Sequence, residues 1–230
     1  KTNYHTHTPR CKHAVGSEEE YILTAIKEGF QEIGFSDHSP WPYEQKDFVP
    51  TIRMDISELK NYLETLRALR EKYKDQIKIY IGLECEYFPK YMDWLKTTIK
   101  EEKLDYVILG AHYAETDESN RYLGHNCKTK KELDTYSKSC IEGMKTGIYS
   151  YLAHPDLFMV SYQRWDKNSI AASRKICEVA KELDIPLEYN LNGYTKKEMG
   201  LFIKNLKTIL GPGANGKDIA IVVKEILNKE

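Results

Sequence analysis

Three histidines, His5, His7 and His13, stand inside one short stretch, NYHTHTPRCKH, near the start of this 230-residue chain. Three more, His38, His112 and His154, each follow a short apolar run, and Glu84 ends another. Imidazoles combined with a carboxylate suit zinc, manganese or iron, whereas calcium and magnesium favour oxygen donors. Seven donors exceed one tetrahedral site, so the set implies at least two ions with one carboxylate bridging them. Taken singly, each residue has an ordinary reading. An H-x-H pair is commonly surface, His38 could be a buried ring bonded to Asp37, and His112 and His154 could be caps or core residues. Glu84 alone could be a salt-bridge partner. Glu86 shares the face of Glu84 by strand alternation, so one of the two is expected to support rather than ligate. His125, in YLGHN, reads as structural or as lying at a substrate's edge, in a loop before a helix.

The elements that would position these groups alternate. Apolar runs at 2–5, 31–36, 77–83, 105–110, 149–153 and 186–191 have strand composition. Between them lie helical signals. Ser17 precedes three glutamates and Gly29 follows the run, which predicts a helix with both ends marked. Asp55 with Glu58, and Thr129 with Glu132, have capping-box spacing. Ile56, Leu59, Leu63, Leu66 and Tyr73 keep near-helical spacing along one face. A further helix is expected from about Ser169 to Leu183, with Ile170, Cys177 and Ala180 inward.

Alternating strands and helices predict a mainly parallel sheet, open and doubly wound or closed into a barrel. No glycine-rich nucleotide fingerprint follows a strand. A barrel gathers every C-terminal strand end on one face, whereas an open sheet converges only those near its switch point. Donors spread from His5 to His154 therefore favour closure.

Composition excludes some functions. With 34 basic and 35 acidic residues and a net charge of -1, the chain has no global field for nucleic acid or an anionic membrane. No apolar run reaches membrane-spanning length. Five widely spaced cysteines without a C-x-x-C fit a reducing compartment, so a cytoplasmic location is expected. Homo-oligomerisation is left open.

The motifs YHTHTPRCKHA, GFSDHSPWP, GLECEY, GAHY and LAHPDL, in that order, resemble those of the PHP (polymerase and histidinol phosphatase) superfamily. The wording is closest to its histidinol-phosphate phosphatase branch, and LEYNLNGY at 187–194 resembles that branch's sixth strand. The resemblance implies an α/β fold, a distorted (β/α)7 TIM-like barrel, over residues 1–230 as a single domain. It implies two to three divalent ions (Zn, Mn or Fe). His5, His7 and Glu84 would hold one, and Glu84, His112 and His154 a second, with these last three forming the catalytic core. His13 and His38 would bind a third. Paired ions about 3.5–4 Å apart turn a shared water into a nucleophile and clamp phosphate oxygens. The implied reaction is hydrolysis of L-histidinol phosphate in histidine biosynthesis.

Two features depart from the family pattern. After Gly200 the chain contains no histidine, so the family's Asp-x-His motif is absent and the last β/α unit (201–230) is incomplete or altered. The family's phosphate-binding arginine after the sixth strand is also missing. Lys197 (or Lys196) is the nearest replacement, a point charge without bidentate geometry. Arg164, ten residues beyond His154, is the other substrate-binding candidate. The alternatives are another PHP-type phosphoesterase, acting on protein phosphotyrosine or a nucleotide, and a catalytically impaired metal-binding relative.

Overall fold

The branched apolar runs form strands where expected. A computed structural model describes residues 1–188. Strands β1 (Thr2–Asn3), β2 (Glu32–Phe35), β3 (Lys78–Cys85) and β4 (Tyr106–Leu109) form one parallel sheet in chain order. Single parallel bridges continue the arc, from Leu109 to Leu152 and from Leu152 to Leu187. Six segments thus follow one another without the order reversal that marks a doubly wound sheet. The result is a parallel α/β half-barrel.

The fifth expected strand is reduced to a bridge at Leu152, and the described residues of the sixth carry a bridge at Leu187. The fifth run ends after Ala153, as expected, since His154 has φ +29°, outside the extended region. Pro186 lacks an N–H for the ladder, although its carbonyl accepts from Leu152 N at 3.0 Å. The remainder of 186–191 and the altered unit at 201–230 lie outside the described residues.

Helices cover the strands. Helix α1 (Glu18–Lys27) opens on a complete Ser17–Glu20 capping box. The Asp55–Glu58 box opens a 3-10 turn (Ile56–Glu58) that leads into α2 (Leu59–Tyr73). Ile56 is consequently exposed rather than on the buried face, while Leu59, Leu63, Leu66 and Tyr73 are buried. Helix α3 (Met92–Glu101), the one-turn α4 (Leu123–Asn126) and α5 (Lys130–Lys145) follow, the last opening on the Thr129–Glu132 box. His125 therefore lies on a short helix rather than in a loop. It is exposed, its ring edge-on to Tyr122. After α6 (Met159–Tyr162) comes α7 (Lys167–Glu182). Helix α7 starts before Ser169 because Asp166 is its N-cap and Ser169 the reciprocal partner. Cys177 and Ala180 are buried and Ile170 is half-buried. None of the described helices is long and apolar enough to cross a membrane.

Strand alternation places Tyr80, Gly82 and Glu84 on one face of β3. Tyr80 and Tyr106 each meet Tyr4 edge-on, and Tyr106 donates its hydroxyl hydrogen to Tyr4 O at 2.7 Å. Gly82 makes room for Tyr106, since a Cβ there would fall 2.5 Å from the Tyr106 carbonyl oxygen. This aromatic layer forms a floor. Glu84, two residues further along β3, stands above it at the C-terminal end of the sheet.

Candidate metal centre

Each strand end delivers its donor to the same place. His5 and His7 follow β1, His38 follows β2, His112 follows β4 and His154 follows the Leu152 bridge. Glu84 lies inside β3 rather than beyond it, because β3 extends to Cys85. Five imidazoles form a closed circuit around the Glu84 carboxylate. Ring centroids are 5.0 Å apart for His5–His7, 4.6 Å for His7–His38, 4.8 Å for His38–His112, 4.9 Å for His112–His154 and 5.8 Å for His154–His5. His13, more exposed, sits 5.1 Å from His7 and 5.3 Å from His38.

Glu84 divides this circuit between its two oxygens. Oε2 lies 3.4 Å from His5 Nε2, 3.3 Å from His7 Nε2 and 3.0 Å from His38 Nδ1. Oε1 lies 3.2 Å from His112 Nε2 and 2.8 Å from His154 Nε2. The sets His5/His7/Glu84 and Glu84/His112/His154 both have metal-ligand spacing. At the same spacing His13 groups with His7 and Cys11, and His38 with Glu86 and His112. Gly110 keeps the middle of the cluster open, since a Cβ there would fall 2.5 Å from Glu84 Oε1.

The electrostatics are those of a carboxylate surrounded by rings competing for protons. Glu84 is fully buried, which disfavours its charge, yet the neighbouring His112 and His38 hold its pKa well below the ordinary carboxylate value. Burial works against a charged His5, but Glu188 and Glu84 outweigh it and raise its pKa to about 10. His112 behaves alike: burial opposes its charge, while Glu84 and Glu86 raise it to about 9. His38 goes the other way, its pKa lowered well below the ordinary value by burial. Burial, with the charge of His7, also lowers His13.

Donor chemistry and satisfaction fit a set of cations. Among the described residues the buried His154 Nδ1 has no hydrogen-bond partner, and His38 Nδ1 and Glu84 Oε2, although 3.0 Å apart, are not aligned to hydrogen-bond each other or any other group. Native interiors rarely leave such atoms open. Imidazole nitrogens with a shared carboxylate are the donors zinc, manganese and iron take.

Three supporting residues were not legible in the sequence. Arg53, fully buried, donates through Nη2 to Glu86 Oε1 at 2.8 Å, through Nε to Asp117 Oδ2 at 2.8 Å and through Nη1 to Ser39 O at 2.8 Å. Glu86 in turn meets His112 Nδ1 at 2.9 Å. A carboxylate in that position can orient the far nitrogen of an imidazole that binds metal. Cys11, also fully buried, lies 3.4 Å from His7 Nδ1 and donates to Asp37 Oδ1 at 2.9 Å. Asp37 thus serves Cys11 and Thr8 rather than His38. Glu188 meets His5 Nδ1 at 2.8 Å. Of the three, only Glu188 had a signal, a carboxylate among the last residues of an expected strand.

Arg164 donates to Lys128 O at 2.9 Å and lies over the Tyr162 ring, with no hydrogen bond to the histidine cluster. Lys197 lies outside the described residues.

Imidazoles and a shared carboxylate at the C-terminal ends of a parallel half-barrel define a metal-binding α/β protein. The chain belongs to the PHP domain family, whose model matches residues 3–192. Over 140 residues it is 33% identical to the histidinol-phosphatase of Bacillus subtilis, covering 58% of this chain and 52% of that protein. Over 196 residues it is 26% identical to a protein named "Probable histidinol-phosphatase" in Deinococcus radiodurans, covering 84% of this chain and 74% of that one. The chain thus spans about half the length of the Bacillus relative. The crystal structure of histidinol phosphate phosphatase from Lactococcus lactis, complexed with zinc, L-histidinol and phosphate, superposes with a TM-score of 0.71 at 20% identity. That match covers 91% of this chain and 80% of the other, and at this identity it speaks for the shared fold.

Proposed function

We propose that this protein is a metal-dependent phosphomonoesterase that hydrolyses L-histidinol phosphate to L-histidinol and phosphate in histidine biosynthesis. One observation carries the reading: the buried Glu84 stands between two histidine groups, one on each carboxylate oxygen. In this reading the half-barrel is part of a distorted (β/α)7 barrel, and residues 1–230 form one domain. His5, His7 and Glu84 hold one ion, and Glu84, His112 and His154 a second. His13 and His38 serve a third, so that two to three ions of zinc, manganese or iron are bound. The bound ions would supply positive charge that acidifies water and neutralises phosphate oxygens.

The chain's own residues do the positioning. Glu84, held ionised, keeps the two groups in register. Glu86 orients His112. The aromatic floor lies beneath the site, and the exposed His13 marks a side from which a small phosphorylated substrate would approach. Arg164 and Lys197 are the candidates for its anionic oxygens. To act so, Arg164 leaves Lys128 O and Tyr162.

The test is phosphate release by the purified chain loaded with Mn, Zn, Fe or Co. Histidinol phosphate should be hydrolysed far faster than an aryl phosphate, a phosphotyrosine peptide or a nucleotide. Faster turnover of either of the last two transfers the reading to another PHP-type phosphoesterase. Metal uptake with no turnover of any substrate identifies an impaired relative.

A further inference from the structure

The circuit of ligands is spanned from outside by a carboxylate that belongs to neither group. Glu188 comes from the sixth segment of the arc, where its own N–H donates to Leu152 O at 2.8 Å. That ladder bond sets the side chain beside the end of the fifth segment. Its two oxygens then do different work. Oε1 lies 2.8 Å from His5 Nδ1, and Oε2 accepts from the backbone N–H of His154 at 3.1 Å.

Both contacts matter for ligation. A carboxylate on Nδ1 holds the proton there and leaves Nε2 with its lone pair. His5 Nε2 is the atom that faces Glu84 and, at 3.1 Å, His7 Nε2. His154 has a left-handed φ of +29°, a conformation that costs free energy in a non-glycine residue and persists only where neighbours hold it. Its peptide is gripped on both sides, by Glu188 at the N–H and by the Tyr136 hydroxyl, which donates to His154 O at 3.0 Å.

We infer that Glu188 is a positioning residue that locks one ligand from each histidine group: the His5 ring through its tautomer and the His154 side chain through its backbone. The inference rests on the metal-binding reading given above. A glutamine cannot replace it, because the two donors meet different oxygens of Glu188 and a glutamine has an oxygen at only one of those places. Its NH2 would face the other donor or force His5 into the wrong tautomer.

The experiment combines zinc titration with nitrogen NMR of the histidine rings, on the full chain. In the wild type loaded with zinc, His5 should show its proton on Nδ1 and its metal on Nε2. Zinc affinity of Glu188→Gln should fall about 10–100-fold, with the folded spectrum retained. If that variant does not fold, the wild-type tautomer still decides. Zinc on His5 Nδ1 overturns the inference, as does wild-type affinity in a folded Glu188→Gln. A wild-type chain that takes up no metal removes both this inference and the metal reading. One that takes up metal with Glu188→Gln unaffected removes this inference alone.

Discussion

Two buried ionic regions meet at His112, and they are finished to different degrees. The Arg53 network is nearly self-sufficient. All three guanidinium nitrogens are used, Glu86 also accepts from Trp41 Nε1, and Asp117 accepts from Tyr43, with Asp117 Oδ1 and the Ser39 hydroxyl left open among the described residues. The Glu84 carboxylate faces five imidazoles, and three buried atoms of the cluster make no aligned hydrogen bond among the described residues. A buried ion pair with its hydrogen bonds in place can hold its geometry unaided, but removing one member leaves a buried charge stranded. A buried carboxylate ringed by imidazoles keeps protons on them until a cation takes their place. In the proposed reading the first region is scaffold and the second is receptor, with Glu86 linking Arg53 to His112.

Breaking the scaffold should have the largest effect. Arg53→Met leaves Glu86 and Asp117 buried without their cation, and urea unfolding should show a loss of about 3–5 kcal/mol. A loss below about 1 kcal/mol would mean that the network does not hold the loops together. Glu86, whose pKa is held low by Arg53 and His112 against the opposing effect of burial, contributes stability above the ordinary carboxylate value. That contribution disappears as pH falls through its lowered folded value.

The receptor should respond to metal and to pH in the opposite sense. His5 and His112, raised to about 10 and about 9, keep protons at pH 7 in the metal-free chain. Their contribution is complete below the ordinary imidazole value and is lost as pH rises through those folded values. Chelated protein should therefore melt at progressively lower temperature from pH 7 to pH 10. Metal binding needs unprotonated ligands, so uptake at pH 7 should release protons and apparent affinity should rise with pH. Metal at a hundred times its Kd should add about 2.7 kcal/mol. A chelated protein whose melting is flat across this range would show that protons do not stand in for cations.

The smallest effect separates both regions from the surface. Arg164→Ala should change stability by less than about 0.5 kcal/mol. If the guanidinium meets the substrate, KM for histidinol phosphate rises with kcat maintained. An unchanged KM leaves Arg164 with Lys128 and Tyr162 only.

Much was legible in the sequence because it is local. Capping boxes at Ser17, Asp55 and Thr129 depend on residues three apart, and strand composition marked the segments that deliver donors. The ordered motifs supplied His5, His7, His13, His38, Glu84, His112 and His154 as one set. Ile56 misled because a 3-10 turn interrupts the helical period, and the fifth expected strand, 149–153, pairs only at Leu152.

What required the fold is the pairing of distant groups. An arginine in a sequence is by default a surface residue, so nothing in TIRMD announces Arg53 as the centre of a buried network. The partition of histidines between the two oxygens of Glu84 depends on rotamers and sheet register, neither of which leaves a mark on composition. Glu188 and His5 lie 183 positions apart in the chain, and only the parallel arc brings them within hydrogen-bonding distance. The amino-acid order determined which chemistry was available and which strand ends would carry it. The tertiary structure decided which atom faces which, because register and close packing act between segments that the chain itself keeps far apart.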